Sequence, residues 1–129
     1  MLNTMEKRIY VLEDNDDIRE IVSILLQGEK YEVFAFSNIA ALRSGVAKGK
    51  PADLFLLDVM VPDGNGMDYC SELKSSPVTA RMPVVMMSAN FSNEEINKRC
   101  FADDYIHKPF EIDDFVKRIS AQIHWNRLN

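Results

Sequence analysis

Residues 54–58 read Leu54-Phe55-Leu56-Leu57-Asp58, four apolar side chains in a row and then a carboxylate. A strand with one wet face alternates apolar and polar residues. An unbroken apolar run belongs to a strand covered on both faces, the condition inside a parallel sheet. Ile9-Tyr10-Val11-Leu12 repeats the pattern and ends in Glu13-Asp14, and Pro83-Val84-Val85-Met86-Met87 repeats it and ends in Ser88-Ala89. Tyr31 to Phe36, rich in aromatic and β-branched residues, and Asp104 to His107 read as two more strands.

Helical periods separate these runs. Ile18, Ile21, Val22 and Leu25 are spaced i, i+3, i+4, i+7; Asn15 or Asp16 caps the start and Gly28 ends the helix. A second helix follows Ser37, with Ile39, Leu42 and Val46 on one face and Gly49 near its end. A third carries Met67, Cys70 and Leu73 and finishes before Pro77. Ser92-Asn93-Glu94-Glu95 has the form of a capping box opening a short helix. The last helix aligns Ile112, Phe115, Val116, Ile119 and Ile123. Strands alternating with helices predict an α/β fold whose parallel sheet is covered on both faces, with right-handed crossovers. Periodicity alone leaves several doubly wound folds open.

The chain has 129 residues, 47% of them hydrophobic and 27% charged, with a formal charge of -5. One compact domain over 1–129 is expected, with its core at about 8–123. The acidic balance gives no reason to expect direct nucleic-acid or anionic-membrane binding. Residues 1–8 lack the apolar stretch of a signal peptide, and no apolar run approaches the roughly 20 residues of a membrane span, so a cytoplasmic location is expected. Cys70 and Cys100 are too few for a disulfide framework or a zinc site and read as reduced packing thiols. Asn90-Phe91-Ser92 is a glycosylation sequon that stays idle without a secretory route.

In open α/β sheets, ligands bind beyond the carboxyl ends of the strands. Here those ends are Glu13-Asp14, Asp58, Ser88-Ala89 and Lys108-Pro109. Carboxylates brought together repel one another, and burial penalises each charge. A small hard cation such as Mg2+ relieves that repulsion. Asp58 is then an oxygen nucleophile towards phosphorus, with the lysine and metal neutralising charge on the transferred group. A single Asp at a strand end is more often a cap than a catalyst. What points to chemistry is four separate strand ends supplying complementary groups.

With these residues in view, the chain resembles the receiver domain of bacterial response regulators. The resemblance runs from about Arg8 to about Ile123 and rests on Val11-Leu12-Glu13-Asp14, Leu56-Leu57-Asp58-Val59-Met60-Val61-Pro62-Asp63-Gly64, Gly66-Met67, Pro83 to Ala89 and Ala102-Asp103-Asp104-Tyr105-Ile106-His107-Lys108-Pro109-Phe110. It implies a flavodoxin-like, doubly wound, five-stranded parallel sheet of strand order 2-1-3-4-5; the order comes from the resemblance, not from periodicity. It implies Asp58 as phospho-acceptor. Asp14 and Asp58 would be Mg2+ ligands, as would the Met60 main-chain carbonyl, with Glu13 assisting. Ser88 would bond the phosphoryl group, Lys108 would pair with it, and Tyr105 would be an aromatic that changes rotamer with Ser88. A cis Lys108–Pro109 bond is also implied. The partners implied are a sensor histidine kinase or phosphotransfer protein and a downstream protein or output domain, the latter not expected within residues 1–129.

The sequence departs from the family in places. The stretch between Ser88-Ala89 and Asp103-Asp104 is shorter than usual, and Cys100-Phe101 stands where Ala-Gly is common. Phe101 cannot adopt a left-handed helix end cheaply, so a short fourth helix is expected. Glu13 replaces the commoner Asp, and Met60 and Asn90 stand two residues after Asp58 and Ser88, positions that the resemblance implies flank the phosphoryl group. The competing reading is a pseudo-receiver that keeps the fold without the chemistry; intact Asp14, Asp58, Ser88 and Lys108 argue against it. An aspartyl-phosphate phosphatase would want a second Asp at position 60, which is Met60. A calcium loop starting at Asp63 would need Glu where Lys74 stands, and no Walker lysine motif is present. The domain is therefore read as a phospho-accepting signalling module, with slow self-dephosphorylation at most, rather than an enzyme.

Overall fold

The computed structural model describes the backbone of residues 6–128 and the side chains of residues 6–124. Residues 1–5 of the region read as lacking a leader lie outside them. The sheet strands are β1 (Arg8–Leu12), β2 (Glu32–Phe36), β3 (Leu54–Asp58), β4 (Val84–Ser88) and β5 (Asp104–His107). The helices are α1 (Asp16–Gly28), α2 (Ile39–Lys48), α3 (Gly66–Ser75), α4 (Asn93–Asn97) and α5 (Ile112–Leu128). All strand pairs are parallel and the order is β2-β1-β3-β4-β5, as expected. Among the described residues, no helix is long and apolar enough to cross a membrane.

The period of two along each strand divides the core. Tyr10, Leu12, Phe55, Leu57, Val84 and Met86 join α2, α3 and α4 on one face. Ile9, Val11, Leu54, Leu56, Val85 and Met87 join α1 and α5 on the other. Every residue of β3 and of β4 is buried, which is why both read as continuous apolar runs. Each such side chain contributes about 1.5–3 kcal/mol by leaving water.

Several local readings change in three dimensions. The helix expected after Ser37 starts at Ile39 and is capped by Asn38, which accepts from the Ala41 N–H. Asn15 caps α1 as expected, accepting from the Ile18 N–H. The buried residues of α1 are Val22 and Leu26, while Ile21 is 49% exposed. The helix sits rotated from the face inferred from spacing, with Ile18 and Leu25 only partly buried against the core. Ile112 is likewise exposed at the start of α5. Gly28 is the last helical residue, and the left-handed turn after α1 falls on Lys30, at φ 72°. The fourth helix is indeed short: α4 has five residues, opened by the Ser92–Glu95 capping box. Phe101 has no positive φ and projects into solvent at 80% exposure, so the chain ends the helix early instead of turning left-handed there.

One element was not anticipated. Met60–Val61 pairs antiparallel with Gly64–Asn65 in a two-residue ladder. Its turn is fastened by Asp63, whose carboxylate accepts from the Ile39 and Ala40 N–H groups at the start of α2 (2.8 and 2.9 Å). These two charge-assisted bonds hold its carboxyl below the usual range. Gly64 sits at φ 156° inside that turn.

Gly66 begins α3 directly against the carbonyl of Asp58, and a side chain there would run into that backbone. Gly66→Ala is therefore expected to cost about 3 kcal/mol in urea unfolding, because backbone cannot yield as a side-chain tip can. Gly28→Ala, with nothing near its added methyl, should be neutral or stabilising by about 0.4–1 kcal/mol. Equal effects from the two substitutions would contradict this account of the chain's path after β3.

Candidate functional site

The parallel sheet carries its polar residues to one edge. After β1 the ladder continues for one residue, the Glu13 N–H donating to the Phe36 carbonyl at 3.0 Å. This turns the Glu13 side chain inward, fully buried, while Asp14 stays exposed. One oxygen of Glu13 accepts from the Asn15 N–H at 3.0 Å. Asp58 closes β3 at 7% exposure. The chain then reverses through two backbone bonds, Val59 N–H to the Met87 carbonyl and Gly66 N–H to the Val59 carbonyl. Met60 lies on the outside of that reversal, 60% exposed.

Ser88 ends β4 and is buried. Its hydroxyl oxygen accepts from the Asn90 and Phe91 N–H groups at 3.2 and 2.8 Å. The Lys108 N–H donates to the Ser88 carbonyl, which extends the β4–β5 ladder and brings the lysine to the same edge. The Lys108–Pro109 bond is cis, as the resemblance implies. The Lys108 ammonium donates to Glu13 Oε1 at 2.6 Å and lies 3.2 Å from Asp58 Oδ2. The structure thus brings Glu13, Asp58, Ser88 and Lys108 into one cluster, with Asp14 at its rim. Tyr105 stands apart, half-buried against the apolar cluster that includes Ile96 and Cys100.

Burial and, next, the charge of Glu13 push the Asp58 carboxyl up to about 7, against the pull of Lys108. Burial by itself would lower the Lys108 ammonium. The hydrogen bond to Glu13 and the charge of Asp58 more than reverse it and hold Lys108 above its usual value. One cation among three carboxylates leaves the cluster short of positive charge. Glu13, Asp14 and Asp58 each offer an oxygen, and these oxygens lie within 4.8 Å of one another. That donor set, all hard oxygen, fits a small divalent cation such as Mg2+. Beside it a cleft of about 150 Å³ opens over Asp58, lined also by Met60, Ser88, Asn90, Phe91 and Lys108.

Two features of the site escaped the sequence reading. Lys108 was expected to face an incoming anion, but here it spans two carboxylates from different strands. The His107 ring also lies 2.8 Å from the side-chain oxygen of Asn93, joining the end of β5 to the start of α4. Neither pairing leaves a local signal, because the partners come from different elements.

The comparisons with known proteins agree with this fold. The family model described as "Response regulator receiver domain" matches residues 9–120. The DNA-binding response regulator MtrA of Mycolicibacterium smegmatis is 32% identical over 127 residues, covering 97% of this chain and 54% of the relative. The phosphate regulon transcriptional regulatory protein PhoB of Escherichia coli is 35% identical over 119 residues, covering 91% of this chain and 52% of the relative. The chain thus spans about half the length of the curated relatives it matches. MtrA is named as DNA-binding and PhoB as a transcriptional regulator, so the charge-based expectation of no direct nucleic-acid binding finds no support among them. A CheY-like response regulator receiver domain protein from Methanospirillum hungatei has the same fold at TM-score 0.86 and 22% identity, covering 95% of this chain and 98% of that one. The match over most of the chain, together with the two relatives, places the chain in the family of response regulator receiver domains, the signalling domains of two-component systems.

Proposed function

We propose that Asp58 accepts a phosphoryl group from a histidine kinase or phosphotransfer protein, in a Mg2+-dependent reaction, and that the modified domain changes its preference for a downstream partner. The observation that carries this reading is the position of Lys108. Its ammonium touches both buried carboxylates and borders the cleft over Asp58.

The chemistry needs Asp58 as a carboxylate. Its oxygen attacks phosphorus, a P–O bond forms, and the P–N bond to the donor imidazole breaks, the imidazole leaving with a proton. Lys108 is placed to shift from the carboxylate to a phosphoryl oxygen, a charge-assisted contact. The Ser88 oxygen already accepts two backbone N–H groups, so its own proton is uncommitted among the described residues and free to donate to a second phosphoryl oxygen. Glu13, Asp14, Asp58 and the Met60 carbonyl would hold Mg2+, which when bound supplies positive charge against the carboxylates and the incoming oxygens. The open cleft beside Asp58 receives the group, and Met60 and Asn90 flank its entrance.

The added group carries about 1.5–2 negative charges. Drawing Ser88 and Lys108 towards it would pull on the loops after β3 and β4 and on the His107–Asn93 contact, and so on α4 and β5. Tyr105, half-buried beside α4, is positioned to follow. That is a two-state face biased by a local charge. The output partner, whether a separate protein or a further domain, reads that face.

Incubation with a small phosphodonor and Mg2+ should add one phosphoryl group, about 80 Da by intact mass, labile to hydroxylamine as an acyl phosphate is. Asp58→Asn should add none. No gain in the wild type, under conditions that modify an established receiver, would favour the pseudo-receiver reading.

The raised Asp58 carboxyl also predicts a pH effect. Between 3.8 and about 7 the folded state holds a proton that the unfolded state has lost, so this group makes stability fall as pH rises through that window. In metal-free protein, Asp58→Asn should therefore raise the Tm more at pH 8 than at pH 5, by roughly 4 °C or more. Mg2+ at pH 8 should close most of that gap by stabilising the wild type. A gap that does not change with pH would mean that Asp58 is not charged at the expense of the fold.

A further inference from the structure

The turn that follows the phospho-acceptor is held from outside its own strand. The Gly66 N–H donates to the Val59 carbonyl at 2.7 Å, and the next pair along the ladder is Met60 with Asn65. Antiparallel pairs alternate between those that exchange hydrogen bonds and those that do not. Met60 therefore falls in a pair that exchanges none, and its carbonyl is left outside the ladder. A ladder of two residues on each side has little hold on its own geometry.

The tip of the turn is instead fastened to α2. Pro62 fixes the backbone entering it. Asp63 then lays its carboxylate across the start of the helix, one oxygen accepting from the Ile39 N–H at 2.8 Å and the other from the Ala40 N–H at 2.9 Å. Those N–H groups lie in the first turn, where no helical carbonyl reaches them. The helix's own cap, Asn38, serves the Ala41 N–H and leaves these two to Asp63. Gly64 seats the turn against the same residue, so closely that a Cβ there would stand 2.9 Å from the end of the Ile39 side chain. α2 is in turn fixed to the core through Ile39 and the fully buried Leu42.

We propose that Asp63 is a positioning residue for the cation: by tying the turn to α2 it sets where the Met60 carbonyl lies beside Asp58. The inference rests on the Mg2+ reading proposed above. Asp63 does not itself belong to the converging carboxylates, which are Glu13, Asp14 and Asp58, and both of its oxygens are used on α2. Its action is indirect. A main-chain carbonyl carries no net charge, so its worth to a cation depends on where it points. Mg2+ is demanding in this respect, requiring near-octahedral oxygens at about 2.0–2.1 Å. A turn that drifts on an unanchored two-residue ladder would not hold the carbonyl to that tolerance.

The competing role is structural: the same two bonds help to cap α2, and their loss would lower stability alone. Calorimetric titration of Mg2+ into the full chain separates the two, with circular dichroism and the Tm recorded for each variant. Asp63→Ala should weaken Mg2+ binding roughly 10–100-fold, the usual effect of removing a group that orients a metal ligand. Asp63→Asn, which keeps an acceptor oxygen for α2 and loses the charge, should retain most of the affinity. Asn38→Ala, which removes the other cap of the same helix end, should lower the Tm and leave Mg2+ affinity where it was. The wild type supplies a measurement free of substitution. Because coupling is reciprocal, Mg2+ should slow hydrogen exchange at the Ile39 and Ala40 amides. Unchanged affinity in Asp63→Ala would overturn the proposal. So would equal losses in Asp63→Ala and Asp63→Asn, which would assign the effect to charge, or an affinity that follows the Tm through Asn38→Ala, or exchange at Ile39 and Ala40 that ignores Mg2+. A wild type that binds no Mg2+ would refute the metal reading itself and this proposal with it, whereas a wild type that binds it no better than Asp63→Ala refutes this proposal alone.

Discussion

Two carboxylates, Glu13 and Asp58, are taken out of water at the edge of this sheet and kept within reach of a single ammonium, that of Lys108. The rest of the molecule is arranged around that charge problem. Burying acids side by side is unfavourable unless a cation compensates them, and removing one partner of such a group leaves the other stranded. The lysine reaches them only because β5 runs parallel to β4 and its ladder continues one residue past its end, through the Lys108 N–H to the Ser88 carbonyl. The acids reach each other only because β1 and β3 are adjacent and in register, Leu12 opposite Leu57.

The apolar part of the fold supplies the rigidity this needs. β3 is buried along its whole length and flanked by β1 and β4, so Asp58 is carried on the best-supported strand of the sheet. The reversal after it is tight, fixed by Gly66 against the Asp58 carbonyl and by Asp63 on the start of α2. No buried side-chain nitrogen or oxygen among the described residues lacks a hydrogen-bond partner. The site's cost is therefore electrostatic: an acid held near neutrality by burial and by a like-charged neighbour, the kind of perturbation that concentrates where chemistry is done.

The opposite end of the site is built more lightly. α4 has five residues, one of them buried, and its links to the sheet include the exposed His107–Asn93 contact. An element with so little buried surface changes position at low cost, whereas β3 does not. A signalling domain needs both kinds of element, a fixed place to receive charge and a loosely held place to display the consequence.

By itself the sequence determined the alternation of buried strands and amphipathic helices, because burial on both faces demands unbroken apolar runs such as Leu54–Leu57. It also determined which residues end the strands, and the early stop of α4, because the capping box opens the helix and Cys100-Phe101 offers no glycine for a left-handed exit. The strand order came from resemblance, since side-chain periodicity carries no information about which strand lies next to which. Tertiary structure alone decided the rotation of α1 that exposes Ile21, the ladder at Met60–Asn65, the clamp of Asp63 on α2, and the sharing of Lys108 between Glu13 and Asp58. Apart from the local ladder, each depends on contacts between residues distant in the chain. Such contacts are set by how layers pack and by where charge must be neutralised, and the local pattern of residues encodes neither.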